Sequence, residues 1–201
     1  MIDKATVTGM NGLLLLILQS AYFLIPAYFA NMAPPLVKKL KLLEFLNIPL
    51  DFGKKHRDGR PLYGKNKTYR GFFVGIIGGL IGAYLQMFLY RFSFFQILSI
   101  NGLDYNNQAL IILLGVFMGA GAITGDLIES FFKRRLNVES GESFVPWDQI
   151  DLVIGAYIFV FPFVYLFISW QIFLCSIVIT FCLHVIVNHI AFYSHIRNEK
   201  W

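Results

Sequence analysis

Charge is scarce in this 201-residue sequence: Asp, Glu, Lys and Arg make up 14% of it, against 57% hydrophobic residues and a mean hydropathy of +0.62. Whole tracts carry no charge at all, among them Leu13 to Ala30 and Leu152 to Trp170. That scarcity excludes a soluble enzyme core and points to a chain solvated by hydrocarbon. Cysteine is nearly missing too. The two present, Cys175 and Cys182, lie seven apart inside one apolar segment, on one helix face, where thiols fill space. No disulfide framework follows, and no redox compartment can be read. There is no internal repeat or low-complexity tract. The net charge of +5 raises the possibility of a nucleic-acid partner. The basic residues concentrate between apolar segments, however, where membrane topology and anionic headgroups account for them, and no nucleic acid is expected.

Five apolar runs are present, at about 12–30, 71–90, 109–124, 152–168 and 172–190. They predict an all-α integral membrane protein forming a single membrane domain of five transmembrane helices. Two functional cytoplasmic connections, about 31–70 and 125–151, complete it. The last two runs form one stretch of about 39 residues, too long for one span at about 1.5 Å per residue, so a tight turn is expected at Ser169-Trp170-Gln171. The first run has a weak basic leader in Asp3-Lys4 and no clean cleavage site, which reads as a retained span. Lys and Arg set the orientation. Ten lie in 31–70, three are Lys133, Arg134 and Arg135, and Arg197 and Lys200 bring the total to 15 of 17. Lys4 and Arg91 stand alone on the other face, so the N-terminus is expected outside and the C-terminus in the cytoplasm of a multi-pass cell-membrane protein. Within the first connection, Pro35 to Leu46 alternates Lys38, Lys39 and Lys41 with leucines, as a helix lying in the headgroup layer would.

Chemistry is expected in those connections. The third run continues without a loop signal through Gly125-Asp126-Leu127-Ile128-Glu129-Ser130-Phe131-Phe132-Lys133-Arg134-Arg135. If it stays helical, Asp126, Glu129, Ser130 and Lys133 share one face. A carboxylate near hydrocarbon costs about 2.5–3.5 kcal/mol on insertion scales, so Asp126 requires a cation, a metal or a cavity. An interfacial Asp served by a cation seven residues on would also explain it. Asp148 and Asp151 follow in Pro146-Trp147-Asp148-Gln149-Ile150-Asp151. Each alone reads as a helix N-cap, whereas three carboxylates at one depth suit Mg²⁺. Before the second run, Gly64-Lys65-Asn66-Lys67-Thr68-Tyr69-Arg70-Gly71-Phe72 gathers Lys65, Lys67, Thr68 and Arg70 into what resembles a phosphate cradle. Its spacing is not that of a P-loop, and membrane anchoring would also explain its cations. Together, the acidic and basic groups suggest Mg²⁺-dependent nucleotide chemistry on a lipid.

These motifs resemble those of the membrane CTP-transferases that make CDP-diacylglycerol. The segment from Gly125 to Arg134, with Pro146 and Asp148-Gln149-Ile150-Asp151, is similar to their signature, and Lys67-Thr68-Tyr69-Arg70-Gly71-Phe72 to a second motif. The likeness covers roughly Asp51 to Gly155. The Gly-His-Gly-Gly stretch of the bacterial and eukaryotic members is missing before Asp148, as are several N-terminal spans. With Leu50-Asp51-Phe52-Gly53-Lys54, this shortness resembles the archaeal branch, the CDP-archaeol synthases. The resemblance implies transfer of CMP from CTP to an isoprenoid glyceryl ether phosphate, 2,3-bis-O-geranylgeranyl-glycerol 1-phosphate, with release of pyrophosphate. It implies Asp126, Asp148 and Asp151 as Mg²⁺ ligands. Lys133, Arg134, Lys65, Lys67, Thr68 and Arg70 would bind CTP or lipid phosphate, with Glu129 and Ser130 lining the pocket.

Glycines crowd the second run, from Gly71 to Gly82, and the third, from Gly115 to Gly125, and are expected to form a helix-packing seam. Pro162 is expected to kink the fourth. Asn188 and His189 stand where they could reach a nucleotide or anchor at the interface, and His184 reads as a packed helix residue. The rival readings are a bacterial-type phosphatidate cytidylyltransferase, differing only in its lipid, and a CTP-dependent polyprenol kinase, releasing CDP instead of pyrophosphate. A transporter would carry polar groups near mid-membrane and broken half-helices. A structural protein would tolerate loss of Asp148.

Overall fold

The computed structural model describes residues 12–138, 142 and 144–193, which leaves Lys4, Arg197 and Lys200 of the charge count outside the described residues. Seven α-helices follow in order among those residues: α1 (Gly12–Phe23), α2 (Ile25–Lys39), α3 (Tyr69–Leu89), α4 (Ser93–Leu98), α5 (Gln108–Arg135), α6 (Trp147–Val164) and α7 (Trp170–Tyr193). Four of them, α3, α5, α6 and α7, are long and apolar enough to cross a membrane. The pair α1 and α2 passes the same test jointly but bends by 47°. The fold is an all-helical membrane protein.

The expected first span is therefore a broken one. Pro26 stands at the start of α2 and offers no N–H to the preceding turn, so the ladder is interrupted at Leu24 and restarts. The expected surface helix over Pro35 to Leu46 is corrected as well. Helix α2 already ends at Lys39, and Lys41 and Leu43 take left-handed backbone (φ 53° and 54°) before a single 3-10 turn at Glu44–Leu46. The break between the last two helices falls at residues 165–169, slightly ahead of the expected turn, and Trp170 opens α7. Pro162 lies two residues from the end of α6, and the helix stops at Val164.

Helix α5 is the axis of the structure. It packs along α6 on one side and α3 on the other, with α2 against both α3 and α5, while α7 covers α1 and α6. The glycine seam allows these approaches: a Cβ on Gly79 would lie 2.8 Å from the Gly119 Cα. The α6 face is closer still, because a Cβ on Gly125 would overlap the Asp151 carbonyl oxygen. Polar pairs hold α7: the Tyr28 hydroxyl meets Thr180 Oγ1 at 2.7 Å, and the Tyr157 hydroxyl meets Ser176 Oγ at 2.8 Å.

The connection between α2 and α3 is ordered by its own charges. Asp51, 5% exposed, accepts N–H bonds from Gly53 at 2.9 Å and from Tyr63 and Gly64 at 3.2 Å each, pinning two distant turns together. Burial alone pushes this carboxyl up, but the three backbone donors outweigh it and hold it below the usual carboxylate range. The loop then docks on the C-terminus of α5. Arg60 Nη1 donates to the carbonyls of Arg134 (3.2 Å) and Arg135 (2.5 Å), which have no partner within the helix. Arg135 returns an ion pair to Asp58 at 2.8 Å and a hydrogen bond to the Pro61 carbonyl.

Candidate active site

The uninterrupted run of α5 to Arg135 gives Asp126, Glu129, Ser130 and Lys133 the shared face their spacing predicts. Helix α6 faces it, with Asp148 and Asp151 in its first two turns, and the Gly125 contact brings the Asp151 backbone directly onto α5. Carboxylate oxygens of Asp126, Glu129 and Asp151 lie within 4.8 Å of one another. Three carboxyl groups at that distance cannot all ionise without strong repulsion unless a cation intervenes, and oxygen donors at this spacing fit a hard divalent ion.

Two lysines serve the cluster. Lys67 Nζ lies 2.6 Å from both oxygens of Asp126. Its position is fixed by a short backbone pairing, in which Leu50 N–H donates to the Lys67 carbonyl (2.8 Å) and Tyr69 N–H to that of Ile48 (3.0 Å). Lys133, 8% exposed, lies 2.6 Å from Asp148 Oδ1 and 3.3 Å from Glu129 Oε1. The second Asp148 oxygen accepts the Phe144 N–H at 2.8 Å. Glu129, expected only to line the pocket, thus stands inside the three-carboxylate cluster. Asp148, expected as a metal ligand, stands beside the cluster, where it pairs with Lys133 and accepts the Phe144 N–H.

The remaining residues divide. Ser130 is buried and bonds Glu129 Oε2 at 3.4 Å. Thr68 caps α3, its hydroxyl accepting the Gly71 N–H at 3.2 Å. Arg70, 4% exposed, donates to Glu44 (2.6 Å), Asn47 (3.1 Å) and the Leu42 carbonyl (3.2 Å), so its fork secures the turn after α2. Arg134 donates to the Val138 carbonyl at 2.6 Å. Lys65 stands exposed on the rim of a cavity of about 450 Å³ that reaches from Pro34 and Lys38 to Thr68. A second cavity of about 340 Å³ is lined by Glu129, Lys133, Asp148 and Asp151. The two share Asn31, Asn66, Lys67 and Asp126, so the Lys67–Asp126 pair stands where basic and acidic compartments meet.

Asn188 and His184 line the second cavity from α7, whereas His189 turns its Nδ1 to the Val185 carbonyl at 2.8 Å. Sequence reasoning took His184 as packing and overlooked Asn31, Asn66 and Gln149. Gln149 is 2% exposed, lines the same cavity, and its Oε1 has no hydrogen-bond partner among the described residues. Its place beside Asp148 in the acidic motif was the available signal.

The family described as CarS-like CDP-archaeol synthase matches residues 13–201. The CDP-archaeol synthase of Methanosarcina mazei is 35% identical over 187 residues, covering 89% of this chain and 100% of its own length. That of Methanocaldococcus jannaschii is 34% identical, covering 92% and 98%. A solved structure described as an intramembrane enzyme for archaeal membrane lipid biosynthesis superposes with a TM-score of 0.65 at 25% identity, over 86% of this chain and 94% of that one. With nearly its whole length matched, the chain belongs to the CDP-archaeol synthase family.

Proposed function

We propose that this protein transfers CMP from CTP to the phosphate of 2,3-bis-O-geranylgeranyl-glycerol 1-phosphate, giving CDP-archaeol and pyrophosphate. The observation that carries the reading is the meeting of three carboxylates, Asp126, Glu129 and Asp151, with Lys67 and Lys133 at the junction of two polar cavities. Family membership supplies the substrates, since the relatives are named for CDP-archaeol. The chemistry lies at the cytoplasmic end of the spans, with the N-terminus outside, because Lys and Arg gather at that end.

In the reaction, an oxygen of the lipid phosphate forms a bond to the α-phosphorus of CTP, and the bond from that phosphorus to the pyrophosphate oxygen breaks. The lipid phosphate is already an anion near neutral pH, so a general base is dispensable. Asp126, Glu129 and Asp151 would hold Mg²⁺, whose hard charge neutralises phosphate oxygens, with Asp148 joined to Glu129 by their shared Lys133. Lys67 and Lys133 balance the carboxylates and stand ready to accept phosphate oxygens, and Lys65 and Arg134 extend the positive rim. Arg70 and Thr68 act by holding the loop and the start of α3 that carry Lys67. The test is pyrophosphate release by the purified protein with CTP, Mg²⁺ and the diether phosphate. Release sharply reduced in Asp151→Asn is expected. Release of CDP, or turnover of phosphatidic acid alone, would overturn the assignment.

A further inference from the structure

One exposed surface outside the acidic cluster carries apolar and basic side chains together. Between the end of α2 and the start of α3, Leu40, Leu42, Leu43, Phe45, Ile48 and Phe52 are all exposed, Phe45 by 73% and Phe52 by 64%. So dense an apolar set marks an interaction surface. Lys39, Lys41, Lys54, Lys55 and Arg57 are exposed in the same stretch and form no ion pair among the described residues. Its two carboxylates are engaged elsewhere, Glu44 with Arg70 and Asp51 with backbone N–H groups.

The depth of this stretch is fixed by α3. That helix has 21 residues, about 31 Å at about 1.5 Å per residue, so all of it is needed to cross a hydrocarbon core of about 30 Å, and its first turn marks the boundary. The same turn ties the stretch down. Arg70 Nη1 donates to the Leu42 carbonyl at 3.2 Å and to Glu44 at 2.6 Å, the Tyr69 N–H donates to the Ile48 carbonyl at 3.0 Å, and the Phe52 ring lies 5.6 Å from that of Tyr69. The left-handed backbone of Lys41 and Leu43 ends α2 and keeps the chain at that level. We propose that residues 39–57 form a seat for an anionic bilayer surface, with the leucines and phenylalanines reaching the acyl boundary and the cations binding lipid phosphates in the headgroup layer. An uncharged surface would match only the apolar half, and a soluble polyanion only the basic half. The seat also steadies the active site, because Leu50 within it donates its N–H to the carbonyl of Lys67, the partner of Asp126. The seat itself stands apart from the reaction proposed above, and only this last consequence rests on it.

The test uses the full chain in nanodiscs of phosphatidylcholine, alone or mixed with phosphatidylglycerol, neither of which carries the phosphomonoester that the proposed reaction consumes. A nitroxide on Phe45→Cys, in a Cys175→Ala, Cys182→Ala background, should be relaxed by oxygen from the bilayer more than by a water-soluble nickel chelate. Spin-labelled phosphatidylglycerol should be retained by the chain in preference to spin-labelled phosphatidylcholine. That preference should fall at least about fivefold when Lys39, Lys41, Lys54 and Lys55 are replaced by glutamine, since each lysine near an anionic surface contributes about that factor. A nitroxide in water, equal retention of the two lipids, or a preference unchanged in the lysine variant would overturn the proposal. Dipolar broadening between labels would put a second copy of the chain on this surface and overturn it as well. At a fixed fraction of diether phosphate, pyrophosphate release should be faster in the anionic discs and lose that advantage in the lysine variant. Release at one rate in both discs would overturn the link to Lys67, and no release in either would count against the reaction and leave the seat standing.

Discussion

Two regions of this molecule are rich in charge and use it in opposite ways. In the connection between α2 and α3, the structural charges find complementary partners: Asp51 three backbone donors, Arg70 the Glu44 carboxylate, Arg60 the carbonyls that end α5. On the facing surfaces of α5 and α6 carboxylates are crowded, with three within 4.8 Å, and Lys67 and Lys133 are paired to two of them. A charge matched to backbone builds structure. Charges held against their own repulsion store the capacity to bind a cation and phosphates, and such groups mark functional sites. The difference teaches which residues should cost stability when removed and which should cost activity.

The sharpest way to break that comparison is to neutralise the crowded side. Asp126→Asn and Asp151→Asn should each lower the rate of pyrophosphate release by roughly 10²–10³, the usual loss for one preorganised electrostatic group. Thermal unfolding in detergent should be undiminished in Asp151→Asn, where a repulsion is relieved, whereas Asp126→Asn also gives up the Lys67 ion pair. A fall in Tm without loss of turnover would reverse the comparison. On the matched side, Asp51→Ala should cost about 1–3 kcal/mol, read as a lowered Tm and faster proteolysis within residues 48–68, because buried N–H donors lose their acceptor. Arg70→Lys should follow at about 1 kcal/mol, since one ammonium cannot span Glu44, Asn47 and Leu42 as the fork does.

The smallest effect is one of pH. The Asp51 carboxyl is held below its ordinary value, so its contribution is fully present above the unfolded carboxylate pKa of about 3.9 and is lost as pH falls through the lower folded value. Protease sensitivity of residues 48–68 should therefore be flat above about pH 5 and rise only in acid. A rise between neutrality and pH 5 would mean that Asp51 does not hold the loop.

Much of this was legible before the structure. The unbroken helix through Asp126 to Lys133 follows from the lack of any breaker in that run, and the face shared by those residues from their spacing. Pro26 was a visible signal for the bend at Leu24, outweighed by the apolar length around it. The left-handed Lys41 and Leu43 carry no such signal, as neither residue favours that backbone, and so the surface helix was overextended. Spacing also could not decide which carboxylate Lys133 would take. That depends on how closely α6 approaches at Gly125, which brings Asp148 onto Lys133 and Asp151 toward Asp126 and Glu129.

The central claim is that Asp126, Glu129 and Asp151 form one cation site. It is tested most directly by Mn²⁺ binding to the purified protein, read by electron paramagnetic resonance in the presence of CTP. Substitution of each carboxylate by its amide should weaken Mn²⁺ binding at least about tenfold, while Asp51→Asn leaves it unchanged. Unaltered Mn²⁺ affinity in Asp126→Asn, Glu129→Gln and Asp151→Asn would contradict the claim.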